Sequence, residues 1–289
     1  MTTPDPQAVR TLIDELVDSW PRTAPSISMR IREHHAISVV VHGMTAHCHH
    51  LARAIRVLDD AGLHLACAPL VRQLIECSIT AAWVETFGMR AVDALAGEQA
   101  LNRKNALDDY VKHVGDVDEE SRRLTQQYVD NLERTQKNVG RRFYERCEDL
   151  EGAMQAYTMW RIISADSHSS TAVADRYVLP ADGPAGVGFL VEPSVGTHDA
   201  WLGVALRMLL LAAMADDRFD VERRRRTRLR GIARELEASG RLLPTAIGLK
   251  RDSAYRRLAK EGRAHRAARA ARAGAASPDA GSHLGGTRS

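Results

Sequence analysis

The stretch from His64 to Phe87 constrains the fold more than any other. Within it, PLVRQLIECSITAAWV places Leu70, Val71, Leu74, Ile75, Cys77, Ile79, Ala81, Ala82 and Val84 around nearly the whole circumference of a helix. A helix that is apolar all round belongs in an interior. Arg72 and Glu76 interrupt it, four residues apart and so on one face. Trp83, seven residues beyond Glu76, falls on roughly the same stripe. Charges in a buried helix need partners, because unpaired burial costs several kcal/mol. Two arrangements satisfy them: a direct Arg72–Glu76 pair at a thin edge of a bundle, or a polar pocket lined by both.

The rest of the chain supplies neighbours for that helix. Leu12, Ile13, Leu16 and Val17 recur at helical spacing over residues 5–20, before Pro21 and Pro25. Residues 29–61 read as a long helix ending at Gly62, a C-cap. Residues 64–87 end at Gly88, with Pro69 as first turn or kink. Helices are predicted over 91–114 and 118–139, a short helix or turn over 143–150, and another helix over 152–176, interrupted near the serines at 167, 169 and 170. LPADGPAGVGFLVEPSVG breaks the pattern with three prolines and four glycines. It reads as a loop with a small hairpin pairing Tyr177–Leu179 with Gly188–Val191. Helix resumes over 198–238, continuous through the basic ERRRR run. With 44% apolar, 27% charged and 5% aromatic residues, the chain suits an all-α globular fold. The divisions are an N-terminal helix and linker over 1–28, a helical bundle over 29–220, a basic helical extension over 221–262, and an Arg/Ala/Gly-rich tail over 263–289 expected to be disordered.

No apolar leader opens the chain, and the near-apolar run Ala200–Ala215 contains Arg207. A cytoplasmic protein without a membrane anchor is expected. Cys48, Cys67, Cys77 and Cys147 form no CxxC pair and are expected to be reduced. Six histidines crowd residues 34–50. His47 and His50 have i,i+3 chelating spacing, and His35, His42 and His49 form a heptad stripe suited to facing a partner helix. No third ligand completes a standard metal spacing, so no metal ligand is assigned and no cofactor is expected.

A second suspicious stripe lies in AYTMWRIISADSHSSTAVADRY. Tyr157 and Arg161 are i,i+4, and Arg161 and His168 are i,i+7, with Ser164 between and Asp166 beside the histidine. A guanidinium can hold a phosphate, and an imidazole can move a proton near neutral pH. The structural alternative is a helix-capping histidine and an acid-paired arginine.

Arg161-x6-His168 resembles the loose Arg-x(4–6)-His pattern of the HEPN superfamily. That resemblance implies an all-helical, often dimeric bundle and a metal-independent ribonuclease of a defence or toxin system. Arg161 would then bind phosphate and His168 would act as general acid or base. The chain departs from active members at Ile162, where they carry a polar residue. RQLIECSITAAWV followed by WRIISADSHSS also resembles an uncharacterised bacterial helical family that pairs an Arg-x3-Glu helix with a Ser-x3-His helix, here Arg72/Glu76 and Ser164/His168.

Net charge is only +3, from 40 basic and 37 acidic residues. Residues 222–289 nevertheless hold 18 basic and 6 acidic residues, a marked asymmetry that suggests an anionic partner, RNA or DNA. IGLKRDSAYRRLAKEG resembles the turn and recognition helix of helix-turn-helix proteins, with a turn at Gly248 and Arg251, Ser253, Tyr255 and Arg256 near the groove or backbone. Two functions follow as expectations. One is a HEPN-like endoribonuclease acting through Arg161 and His168, with Arg72, Glu76, Tyr157, Ser164 and Asp166 around them, in a homodimer. The other is a non-catalytic nucleic-acid-binding or regulatory protein working through its basic C-terminal part. Most other common enzyme classes lack their motifs: there is no glycine-rich phosphate loop and no Gly-x-Ser-x-Gly elbow.

Overall fold

A computed structural model describes residues 5–24, 31–130, 142–180, 186–196 and 198–275. The bundle is built around α3 (Cys67–Phe87), which packs against α2 (Ile31–Asp60), α7 (Ala153–Ser167) and α9 (His198–Asp217). Val71, Leu74, Ile75, Ile79, Trp83 and Val84 of α3 are essentially inaccessible to solvent, as the all-round apolar pattern requires. Pro69 sits in the first turn of α3, where its missing N–H costs nothing.

α1 (Pro6–Thr23) packs on α2 and α9 and puts Val9, Leu12, Ile13, Leu16 and Val17 into the same core, with Trp20 also buried. It starts at Asp5, whose carboxylate accepts from the Ala8 amide at 3.2 Å. The expected break at Pro21 lies inside the helix, which runs three residues further than the spacing indicated. α4 (Met89–His113) and α5 (Glu119–Asp130) follow. The part of the predicted 118–139 helix beyond 130 lies outside the described residues. α6 (Phe143–Glu148), α7 and α8 (Thr171–Asp175) replace the predicted 143–150 and 152–176 segments, with the interruption at the serines. The hairpin pairs β1 (Val178–Pro180) with β2 (Val187–Phe189) antiparallel, Val178 opposite Phe189. Leu179 faces Gly188 within the two segments expected, and the Leu190 amide donates to the Tyr177 carbonyl at 2.8 Å in the same register.

The predicted continuous helix over 198–238 is instead two. α9 ends at Asp217 and α10 (Arg226–Glu235) starts after a turn in which Arg223 has φ 50°. Buried Asp216, Asp217 and Asp220 explain the break. Acids at a helix C-terminus oppose its dipole and need cations. The chain reverses so that Arg225 reaches Asp216. Among the described residues, α9 is the one helix long and apolar enough to cross a membrane, yet its Leu202, Leu206, Leu209 and Leu210 are core residues packed among α1, α2 and α3.

α11 (Ala246–Ala275) corrects two further expectations. There is no helix-turn-helix: Gly248 lies inside α11 rather than in a turn, and residues 236–245 form no first helix. Gly248 is needed for close approach, since a Cβ there would stand 2.5 Å from the Asp149 carbonyl oxygen and 2.7 Å from the Phe87 ring. The tail expected to be disordered from 263 is helical to 275; residues 276–289 lie outside those described. Alanine and arginine make up most of this stretch, and both are strong helix formers.

Candidate functional site

Arg72 and Glu76 point from α3 to α7, where one residue engages both. The Arg72 guanidinium lies over the Trp160 ring, 4.2 Å from its centroid, and Arg72 Nε donates to Ser164 Oγ at 3.0 Å. Trp160 Nε1 donates to Glu76 Oε2 at 3.3 Å. Ser164 in turn donates to the Trp160 carbonyl at 2.6 Å. Arg72 and Glu76 form no direct ion pair among the described residues. The arrangement is neither of the two anticipated from sequence: it is a clamp between helices, with the indole between cation and anion. Tyr157 joins it by stacking on Trp160, centroids 5.8 Å apart, and Phe143 closes on Trp160 at 5.3 Å. All of Arg72, Glu76, Tyr157, Trp160 and Ser164 are half-buried. Helical spacing could not reveal Trp160, which lies 84 residues from Glu76 on another helix. Trp83, which spacing puts on roughly the same stripe, is fully buried and donates to Asp149 at 2.9 Å.

The other residues of the α7 stripe separate into two groups. Asp166 is buried and accepts two hydrogen bonds from Arg176, at 3.2 and 3.0 Å, which ties α7 to the end of α8. Arg161 and His168 are exposed, and neither has a polar partner among the described residues. His168 is the C-cap of α7, in extended conformation. Arg161 lies within α7 and His168 caps its end seven residues on, about 10 Å further along the axis. They do not join the Arg72–Glu76 clamp. Ile162, beside them, is 53% exposed.

The four C-terminal candidates also divide. Arg251 donates to Asp149 Oδ1 and Glu148 Oε2, each at 2.9 Å, and Tyr255 donates to Asp93 at 2.7 Å. Both therefore anchor α11 to α6 and α4, so they do not stand free to meet a nucleic acid as the helix-turn-helix reading expected. Ser253 is exposed, and Arg256 is exposed with an i,i+4 bond to Asp252. The anchor centres on Asp149, which is fully buried. Besides Arg251 and Trp83 it receives a hydrogen bond from Arg90, itself 1% exposed and donating also to the Gly248 carbonyl at 2.8 Å.

The histidines of α2 face different surroundings. His35, His47 and His50 are exposed. His42 and His49 of the heptad stripe do meet a partner helix, α1: Trp20 lies 5.5 Å from His42 and stacks on His49 at 4.2 Å. His42 Nδ1 is 3.1 Å from Asp216 Oδ1. His64 lies with Asp59 and His198. Donor atoms of these three lie within 4.8 Å of one another. His198 Nε2 is 2.6 Å from Asp59 Oδ1, and His64 stacks on His198 at 3.9 Å. Sequence spacing could not reveal this group, because 139 residues separate Asp59 from His198. Its donor set would suit a divalent ion, but Asp59 already accepts from Arg10 at 2.8 and 3.0 Å and from Arg56. Two guanidiniums on the carboxylate compete with any cation. Burial raises the Asp59 pKa, but Arg10 and His198 outweigh it and hold the group at about 2. The parallel His64 and His198 rings also keep their in-plane lone pairs from converging on one point. The cluster reads best as a buried ionic junction of α1, α2 and α9.

All four cysteines are buried and free, as expected. Residues 38–184 match DUF5677, a family of unknown function, over just over half of the chain. No curated protein and no solved structure matches it. The matched region contains the Arg72–Glu76–Trp160–Ser164 clamp together with Arg161 and His168, while α1, α9, α10 and α11 lie outside it. The clamp thus lies within the part that defines the family, and the chain belongs to the DUF5677 family of unknown function.

Proposed function

We propose that the outer side of α7 is a phosphodiester-binding surface of HEPN type and that the protein is a metal-independent endoribonuclease of a defence or toxin system. The observation that supports this is availability. Arg161 and His168 are exposed and without polar partners among the described residues, on a helix whose other side is held by Arg72, Glu76 and Arg176. Arg161 fits the role of phosphate holder, its planar fork matching two phosphate oxygens. His168 fits the role of proton carrier. In the reaction the RNA 2′-hydroxyl loses its proton and attacks phosphorus, the P–O5′ bond breaks, and the leaving oxygen takes up a proton. Base and acid together call for two histidines, and a second copy docked through the same side of α7 supplies the other. Met154 and Ile162, both exposed on α7, provide apolar area for that contact.

A second reading, nucleic-acid binding without cleavage, is favoured by α11. Beyond its anchor, Arg256, Arg257, Lys260 and Arg263 are exposed on a helix that runs to Ala275. Labelled single-stranded RNA incubated with the protein in EDTA separates the two. Cleavage by the wild type and none by Arg161→Ala or His168→Ala is expected. Retention of RNA without cleavage by all three proteins would leave the binding reading in its place.

A further inference from the structure

A cavity of about 200 Å³ lies where the end of α9 meets the turn into α10, and Arg223, Arg226 and Arg230 line it. Arg226 and Arg230 stand four residues apart on one face of α10, and Arg223 lies in the turn before it. The side chains of all three make no hydrogen bond and no ion pair among the described residues. Like charges at that helical spacing repel, so the row gains nothing from its own neighbours. The nitrogens that matter can be reached. Nε of Arg223 is buried, but its two Nη atoms and the guanidinium nitrogens of Arg226 are accessible, and Arg230 is exposed.

The rest of the wall does not cancel this charge. Arg218 also lines the cavity, but its Nη2 donates to the Gly240 carbonyl at 2.6 Å and its Nη1 lies 3.4 Å from Glu85. Asp217 is the one acid in the lining; it is 6% exposed, and burial pushes its pKa up. Three unpaired guanidiniums against one carboxylate leave two positive charges unanswered. Met214 and Arg230 are shared with a larger cleft of about 690 Å³. Met214, Ala233, Ala238 and Gly240 give that cleft an apolar wall, and its size is that of small-molecule sites.

We infer that the two spaces together bind a small phosphate monoester, its phosphate held by Arg223, Arg226 and Arg230 and its organic body lying in the cleft against Met214 and Ala233. A guanidinium fork matches two phosphate oxygens at once. A monoester carries close to two negative charges at pH 7, which answers the two left over. A carboxylate or a backbone phosphodiester carries one. The inference uses none of the α7 residues and stands apart from the RNA reading.

Phenyl phosphate, its diester methyl phenyl phosphate, and inorganic phosphate are the probes, titrated calorimetrically into the full-length protein. Saturable 1:1 binding of phenyl phosphate is expected. The diester, with one charge fewer, and inorganic phosphate, with no apolar body, are each expected to bind at least about tenfold more weakly. Arg226→Gln and Arg230→Gln break no hydrogen bond or ion pair in the fold, and each is expected to weaken phenyl phosphate by about tenfold or more. Arg224→Gln, at an exposed arginine outside both linings that pairs with Glu222, is expected to leave affinity unchanged. Absence of saturable phenyl phosphate binding, diester or inorganic phosphate binding as tightly, unchanged affinity in folded Arg226→Gln and Arg230→Gln proteins, or an equal loss in Arg224→Gln would each overturn the assignment.

Discussion

At the scale of single residues, the molecule depends on a few buried charges that are each satisfied several times over. Asp149 takes hydrogen bonds from Trp83, Arg90 and Arg251 while fully buried. Asp149→Ala strands the Arg90 guanidinium and is expected to cost about 3–5 kcal/mol of stability in urea unfolding, the range for breaking a buried pair on one side. His49 contributes with the opposite preference, for neutrality. Its pKa falls from an ordinary 6.5 to about 3 in the fold. Between those values the unfolded chain binds a proton that the folded chain does not, so stability declines as pH drops through that window. The Asp59 contribution is lost lower, as pH falls from 3.8 towards about 2. His49→Phe is therefore expected to take about one proton out of the slope of stability against pH between about pH 6 and 4. Little of this is visible in the sequence. An isolated histidine or aspartate shows its residue type but not its partner, and the partners here lie on other helices, as Asp149 to Trp83 and Arg90 illustrates.

At the scale of elements, helices are legible where one face repeats and illegible where polar contacts decide. The apolar circumference of α3 identifies the central helix, and the heptad of histidines on α2 implies a facing helix, which is α1. The break between α9 and α10 is hidden, since the basic run is as helix-compatible as any charged stretch; it turns because buried acids at the end of α9 draw Arg225 back. The helix-turn-helix resemblance fails for a related reason: Gly248 marks close packing on Asp149, not a turn. Of the candidates around α7, Arg72, Glu76, Tyr157 and Ser164 do assemble, but around Trp160. Trp160→Phe keeps the ring stacking and removes the donor to Glu76. It is expected to cost about 1–2 kcal/mol in thermal or urea unfolding and to speed amide exchange in α7 relative to α2.

At the scale of the whole molecule, charge is divided between a bundle rich in acids and a C-terminal helix rich in arginine, so the net +3 describes neither part. If α11 contributes to RNA capture, ending the chain after Tyr255 leaves its anchors in place while removing Arg256, Arg257, Lys260 and Arg263. Affinity for single-stranded RNA is then expected to fall. The slope of log affinity against log salt should become shallower by about 0.7 for each phosphate that is no longer neutralised. Cleavage should persist in that truncated protein at raised RNA concentration, because the proposed chemistry belongs to α7. The most direct test of that chemistry is end-group analysis of RNA incubated in EDTA with wild-type protein and with His168→Ala. The wild type is expected to leave 2′,3′-cyclic phosphate and 5′-hydroxyl ends, with at least about a hundredfold less product from His168→Ala. Equal cleavage by both proteins, or no cleavage by the wild type, would contradict a catalytic role for His168.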